Sequence, residues 1–288
     1  MARPKKVRLA ALNIKFLEKQ MQTPKRYLEL WQFIKNRRLK GRTLAKQAII
    51  VSNEQQNVFE DDPQRGLYGY LYKYYDLNHN SRWIDIDRVE PLEEDEVVPI
   101  PASIKPDCKE VGYAFYPDRH ILFFDANILK PPSAHRAFED IVSRNELLEQ
   151  FGVVEVILVA SEEKVEQMIA LPQKTFIKIR VTIPNPDDLS EQDMRVYRRL
   201  SRDNIASVNL EQRSRDSGGL ELGDYEKSLM RLSRTNGHTE IETKEGGESK
   251  VYSTQKIPQI RTSVYAPDVQ SYIEAVRAAS MEGMSTYE

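Results

Sequence analysis

The sequence predicts an α+β fold, with mixed, mostly antiparallel sheets carrying helices, a β-α-β unit in the middle and a helical C-terminal part. Three observations predict it. Apolar and aromatic runs with period two recur between turn signals, as half-buried strands require. Capped segments with apolar residues three and four apart alternate with them. A continuous apolar run at 153–159 precedes a short helical pattern and a further strand.

Residues 7–16 read as the first strand, apolar and free of breakers. Thr23 and Pro24 then start a helix, with Thr as N-cap and Pro at the first position. Tyr27, Leu30, Trp31 and Ile34 share one face of it and are expected to anchor it to the sheet. Strands follow at 47–52 and 67–77. In the latter Tyr68, Tyr70, Tyr72 and Tyr74 point to one side and Leu67, Gly69, Leu71 and Lys73 to the other. Four prolines and an acidic run at 93–96 make 87–106 a connector. A hairpin is expected from 111–116 and 120–125 across Pro117-Asp118-Arg119.

Ser133 is expected to cap a helix running to about Phe151, ended by Gly152. The strand at 153–159, a helix at 162–171 and a strand at 176–183 form the β-α-β unit, which predicts parallel or mixed pairing. After a turn at 185–190, Ser190 caps a long helix to about Ser214. A helix at 220–235 ends at Asn236-Gly237. A hairpin then turns at Glu245-Gly246-Gly247-Glu248, a strand follows at 260–265, and Asp268 caps a last helix. Length suggests two regions, 1–105 and 106–288.

Composition narrows the class. At 40% hydrophobic and 30% charged residues the chain can fold around a core. A single cysteine, Cys108, excludes an internal disulfide and a thiolate zinc site, and points to an intracellular, cytoplasmic protein. No apolar run approaches the ~20 residues that span a bilayer, so no membrane partner is expected. The basic N-terminus lacks the apolar stretch of a secretory signal.

Charge is segregated. Residues 1–46 hold 14 Lys or Arg against two acids, a balance of +12. Residues 47–100 hold four against 12, a balance of −8. Such asymmetry points to a polyanion partner, DNA or RNA, or to basic and acidic regions that mate within a chain or across a homodimer. The candidate nucleic-acid contacts are Lys5, Lys6, Arg8, Lys35, Arg37, Arg38, Lys40, Arg42 and Lys46. Tyr68, Tyr70 and Tyr72 join them as rings on which bases could stack; the plainer reading puts those rings under a helix. Arg195, Arg198, Arg199 and Arg202 share a helical face and offer a second phosphate-contacting surface or a salt-bridged exposed one.

Catalytic signatures are sparse. The glycine loops of P-loop and Rossmann nucleotide sites, H-E-x-x-H and G-x-S-x-G are all missing, and the four histidines lack metal-ligand spacing. No cofactor is expected. The remaining enzyme reading is a metal-dependent nuclease, with Glu242-Thr243-Lys244 and Asp224, or Glu162-Glu163-Lys164 and Asp118 or Asp125, as carboxylate and lysine sets.

Several segments occur together in order: Ala11-Leu12-Asn13-Ile14-Lys15; Arg65-Gly66-Leu67-Tyr68-Gly69 followed by Trp83-Ile84-Asp85; Phe115-Tyr116-Pro117 leading to His120; and Pro184-Asn185-Pro186-Asp187-Asp188-Leu189-Ser190. With them the chain resembles the bacterial domain-of-unknown-function family numbered 4747 over most of its length. The resemblance implies a bacterial or mobile-element origin and hence a cytoplasmic protein. It transfers no activity and no catalytic residues. The charge segregation, the Tyr stripe and the Arg face together give the expectation of a non-catalytic nucleic-acid-binding protein, and the family context adds that of a sensor or effector in phage defence.

Overall fold

The computed structural model describes residues 3–60, 62–77, 84–85, 87, 89–91, 101, 103–182, 191–215 and 218–285. The first half of the chain runs β1 (Lys5–Phe16), α1 (Pro24–Asn36), β2 (Gly41–Arg42), β3 (Gln47–Asn57), β4 (Leu67–Tyr75), β5 (Ile84–Asp85), β6 (Glu90–Pro91), β7 (Lys109–Tyr116) and β8 (Ile121–Asp125). Next come α2 (Pro131–Val142), α3 (Asn145–Phe151), β9 (Val154–Leu158), α4 (Glu162–Ala170), β10 (Lys174–Thr182), α5 (Glu191–Arg202) and β11 (Ser207–Arg213). The chain closes with α6 (Asp224–Asn236), β12 (Gly237–Glu245), β13 (Glu248–Ser253), β14 (Arg261–Tyr265) and α7 (Tyr272–Met284). This is the α+β class that the sequence predicts. Among the described residues no helix is long and apolar enough to cross a membrane.

The main sheet has the order β14-β1-β8-β7-β4-β3-β2, and β9 pairs with the second half of β1. It curls into a half-barrel. The alternation of β1 shows why both faces are covered. Ala10, Leu12, Ile14 and Phe16 face inward to a core shared with α1 and α2, while Val7, Leu9 and Ala11 face outward to α7. α2 bridges the edges of the half-barrel. Its His135 Nε2 lies 2.9 Å from Val156 O on β9. At the other edge a Cβ on Gly41 of β2 would stand 2.1 Å from Ala137 O, so glycine alone permits this approach.

α1 starts as its sequence requires. Thr23 Oγ1 accepts from Arg26 N at 3.3 Å, and Pro24 occupies the first turn. Tyr27, Leu30, Trp31 and Ile34 are buried, and Trp31 stacks on Phe115 with centroids 4.8 Å apart. Each such side chain contributes about 1.5–3 kcal/mol of burial. Thr23→Ala is expected to cost about 1 kcal/mol, read as a lower urea midpoint with an unchanged slope.

The second sheet has the order β11-β10-β12-β13. Ile177, Ile179, Val181 and Ile241 pack on Leu229, Met230 and Leu232 of α6 to form a separate core. Here the structure corrects the parallel pairing expected of the β-α-β unit. The order β9-α4-β10 is present, but β9 joins β1 and β10 joins β11 and β12, and every named strand pairing is antiparallel. The apolar face of β10 is satisfied by α6, which draws it away from β9.

Other expectations are corrected locally. The long helix expected at 190–214 stops at Arg202. Asn204 takes φ 51°, Ile205 N closes onto Leu200 O at 2.9 Å, and Ser207–Arg213 is a strand. Asn tolerates that left-handed conformation, and Val208 and Leu210 alternate with polar residues. The helix expected from Ser133 to Phe151 is two helices. Lys130 stands at the N-cap before Pro131, and Ser143 ends the first helix with its Oγ on Asp140 O. The last helix is capped by Ser271, which accepts from Glu274 N, and not by Asp268. The division expected at 105/106 runs through one sheet, because β4 pairs with β7. The acidic run at 93–96 and the turn at 185–190 with its Ser190 cap lie outside the described residues.

Candidate functional site

Strand direction sorts the basic residues. β1, β7 and β3 begin at the same end of the main sheet, where β8 and β4 finish. Lys5, Lys6 and Arg8 stand at that end of β1, all exposed. They are held there through the turn 126–130 that follows β8. Ala126 N donates to Arg8 O at 2.7 Å and Asn127 Nδ2 to Lys6 O at 3.1 Å.

Three lysines absent from the sequence-derived set converge on the same turn. Lys73 Nζ donates to Ile128 O at 2.8 Å and Lys130 Nζ lies 3.5 Å from Ala126 O. Lys109 sits opposite Lys73 across β4 and β7. Strand parity places Lys6, Arg8, Lys73 and Lys109 on the inner face of the sheet. Burial first, then the Lys109 charge, pulls the Lys73 ammonium below the usual lysine range; Lys130 adds to this and Asp107 opposes it. The N-terminus of α2 adds partial positive charge beside Lys130. One sequence signal could have found Lys73: it continues the face of Leu67 and Leu71 where the strand leaves the core.

The remaining N-terminal cations are further along the same end. Lys40 pairs with Asp76 at 2.9 Å, and Lys105 reaches the other oxygen of that carboxylate at 3.3 Å. The backbone N–H of Arg42 donates to Asp140 Oδ2 at 3.0 Å. Arg42 and Lys46 are exposed on either side of the β2–β3 turn. Lys35 is half-buried, Arg37 lies over the Phe33 ring at 5.5 Å, and Arg38 follows the helix at φ 52°. Arg195, Arg198, Arg199 and Arg202 share an exposed face of α5, a helix packed on α6, and are not brought to this end. Arg202 pairs with Asp203 at 3.0 Å and Arg199 lies 5.6 Å from the Tyr225 ring.

The tyrosine stripe lies under α7. Tyr68 Oη donates to Glu274 Oε1 at 2.7 Å, and the Arg277 guanidinium sits over its ring at 5.8 Å. Tyr70 stacks on Tyr272 with centroids 6.3 Å apart, and Tyr72 is half-buried. The faces of Tyr68 and Tyr70 are therefore engaged within the chain.

A second concentration of polar groups is buried where the two sheets meet. Asn13 and Lys15 project from the outer face of β1. Asn13 Nδ2 donates to Thr235 O at 2.7 Å and Lys15 Nζ to Asn236 Oδ1 at 3.2 Å. Opposite Lys15, Glu155 accepts from Thr182 Oγ1 at 3.0 Å and from Arg180 Nη2 at 3.3 Å. Burial pulls the Lys15 amine down to about 8, with the Glu155 carboxylate opposing. His120 Nδ1 lies 2.6 Å from Asn13 Oδ1, and burial, then Lys15 and Arg119, take its pKa down to about 3.

Three of the carboxylates named for nuclease chemistry serve other contacts. Glu242 accepts from Ser249 Oγ, Glu162 pairs with Arg234 at 3.5 Å, and Asp125 accepts from Tyr272 Oη at 2.9 Å. Among the described residues no three His, Cys, Asp or Glu side chains converge as ligands for an ion. Cys108 is exposed, while His120 is buried against Asn13.

No curated protein matches the chain. A family described as "Domain of unknown function (DUF4747)" matches residues 5–280, nearly the whole length, and the chain belongs to that family.

Proposed function

We propose that the chain is a non-catalytic nucleic-acid-binding protein, acting inside the cell and contacting phosphates at the basic end of the half-barrel. One observation carries the reading: Lys6, Arg8, Lys73, Lys109 and Lys130 come from four separate segments; backbone and side-chain hydrogen bonds gather Lys6, Arg8, Lys73 and Lys130 around the turn 126–130, and strand register sets Lys109 opposite Lys73. Like charges are costly to gather unless an anion offsets them. Of the acids at this end, Asp76 is held by Lys40 and Lys105, while Asp107, 3.5 Å from Lys109, offsets part of the gathered charge. With Tyr68 and Tyr70 covered by α7, recognition rests on the phosphate backbone rather than on base stacking. Duplex and single strand should then bind with little sequence preference.

The test is the salt dependence of binding to a mixed-sequence duplex. Replacing Lys6, Lys109 and Lys130 together by Gln should reduce the slope of log K against log salt by about 3 and weaken binding tenfold or more at low salt. The matching Gln variant of Arg195, Arg198 and Arg202 should leave both quantities nearly unchanged. Undetectable binding at low salt, or an equal loss from both variants, would refute the assignment.

A further inference from the structure

The turn between β2 and β3 departs from what its geometry favours. Thr43 N donates to Gln47 O at 2.8 Å, which closes a three-residue loop of Leu44, Ala45 and Lys46. Lys46 takes φ 54°, the left-handed position that such loops usually give to glycine. Tip residues are usually Gly, Asn, Asp or Ser. Here the apex is Leu44 and Ala45, both exposed, with Leu44 at 68%. Arg42 and Lys46, also exposed, stand at its two feet.

The tip is held in place from three sides. Arg42 N donates to Asp140 Oδ2 at 3.0 Å, Arg144 Nη2 to Lys40 O at 3.1 Å, and Asp76 N to Lys46 O at 3.1 Å. Gly41 lies against the backbone of Ala137 on α2. Strand register then sets its position. Gly41 faces Ile49, Ile49 faces Lys73 and Lys73 faces Lys109, so one row crosses β2, β3, β4 and β7. Leu44 lies three residues beyond Gly41, up to ~10 Å past that row at the rise of a strand. Single apolar residues at a surface are ordinary. This one is set apart by an anchored tip, a cation at each foot and a place at the end where Lys73 and Lys109 gather.

We propose that Leu44 is a wedge that enters the base stack of a bound duplex, so that the protein prefers DNA whose stacking is already broken, as at a gap. The inference rests on the phosphate-contacting function proposed above and adds the class of DNA that it takes. Proteins that hold phosphates with Lys and Arg also kink duplexes by inserting an apolar side chain between base steps, at the cost of unstacking them. At a gap that cost is already met. Arg42 and Lys46 contact the phosphates on either side of the opened step, and burying the leucine among bases removes its surface from water. A gap interrupts stacking whatever its neighbours, so the preference follows the interruption and not the sequence.

The test compares a fluorescein-labelled duplex, intact or with a one-nucleotide gap, by fluorescence polarisation. The parent should bind the gapped duplex about tenfold more tightly than the intact one. Leu44→Ala should erase that preference and leave both the affinity for intact duplex and its salt slope unchanged, whereas Leu44→Met should keep it. At so exposed a position the urea midpoint of Leu44→Ala should match the parent's, which separates a lost contact from a lost fold. A fluorescent adenine analogue set beside the gap should brighten when the parent binds and stay dark with Leu44→Ala. Equal affinity for the two duplexes, or a preference that survives Leu44→Ala, overturns the wedge and leaves the phosphate contacts standing. Binding to anionic phospholipid vesicles that Leu44→Ala abolishes would assign the tip to a membrane and overturn it as well. Undetectable binding of either duplex at low salt removes the function on which the wedge rests, and the wedge with it.

Discussion

Lowering the pH from 7 to 4 is expected to destabilise the folded chain by about 3 kcal/mol through His120. The ring is 5% exposed and its pKa lies near 3 in the folded state. Burial is the main cause, with the Lys15 and Arg119 charges adding to it. Asn13 uses its Nδ2 on Thr235 O, so its Oδ1 must accept from His120, which fixes the neutral ring with its proton on Nδ1. The folded pKa is depressed below the unfolded one. The stability it represents is thus complete above about pH 6.5 and is lost as pH falls towards 3. His120→Asn should remove the dependence, since Asn accepts the φ of 49° at this position and does not titrate. The variant starts less stable at pH 7, having lost a buried ring and its hydrogen bond. Urea midpoints at pH 7, 5.5 and 4 decide the matter: an acid limb as steep in the variant as in the parent would remove His120 as its cause. Lys15, also depressed, acts on the alkaline side, where stability should rise between pH 8 and 10.

Local signals carried most of the element list. Thr23-Pro24 sets the first residue of α1 and the spacing of Tyr27, Leu30, Trp31 and Ile34 its buried face, and Asn236-Gly237 marks the end of α6. Where structure and expectation differ, the deciding signal is a subtler local one or a distant partner. Asn204 and the alternation after it end α5 and begin β11, and Ser271-x-x-Glu274 rather than Asp268 caps α7. The destination of β10 had no local signal. It depends on pairing with β12 and on the apolar face of α6, some fifty residues downstream. The closing of the main sheet by β1 and β14 joins the two ends of the chain.

The candidate sites divide in the same way. Charge counting found Lys6 and Arg8, because sequence proximity and spatial proximity coincide there. It missed Lys73, Lys109 and Lys130, which reach the same turn through strand register. It also grouped Lys40 with the open cations, although Asp76 lies 2.9 Å from it in the fold. Lys15 belongs to the basic count of residues 1–46 yet is buried against Asn236, because its strand continues under the second sheet. Composition measures how much charge there is, and topology decides which of it faces solvent.

Gly237→Ala is expected to destabilise the chain by about 3 kcal/mol or more and to loosen the junction of the two sheets. A Cβ at this position would stand 1.9 Å from Arg180 O and 2.8 Å from the carbonyl carbon. The obstacle is the backbone of a paired strand, so no rotamer change relieves it. β12 would have to move away from β10 where Gly237 faces Val181. The preceding residue holds the junction: Asn236 accepts from Lys15 Nζ through Oδ1, and its carbonyl lies 3.0 Å from Thr182 Oγ1, sharing that single hydroxyl proton with Glu155. Displacing it separates Lys15 from its amide partner while the amine stays partly buried, an outcome costlier than losing the hydrogen bond alone. Two readouts follow. The urea midpoint should fall steeply, and Lys15 should become open to amine-specific labelling under native conditions, located by mass spectrometry. Gly246→Asn is the matched control, because nothing lies within 4 Å of that Cβ and Asn accepts its φ of 61°. If Gly237→Ala unfolds at the parent's urea midpoint and leaves Lys15 unlabelled, then the strands part at no cost there, and the close approach of β12 to β10 does not set the junction.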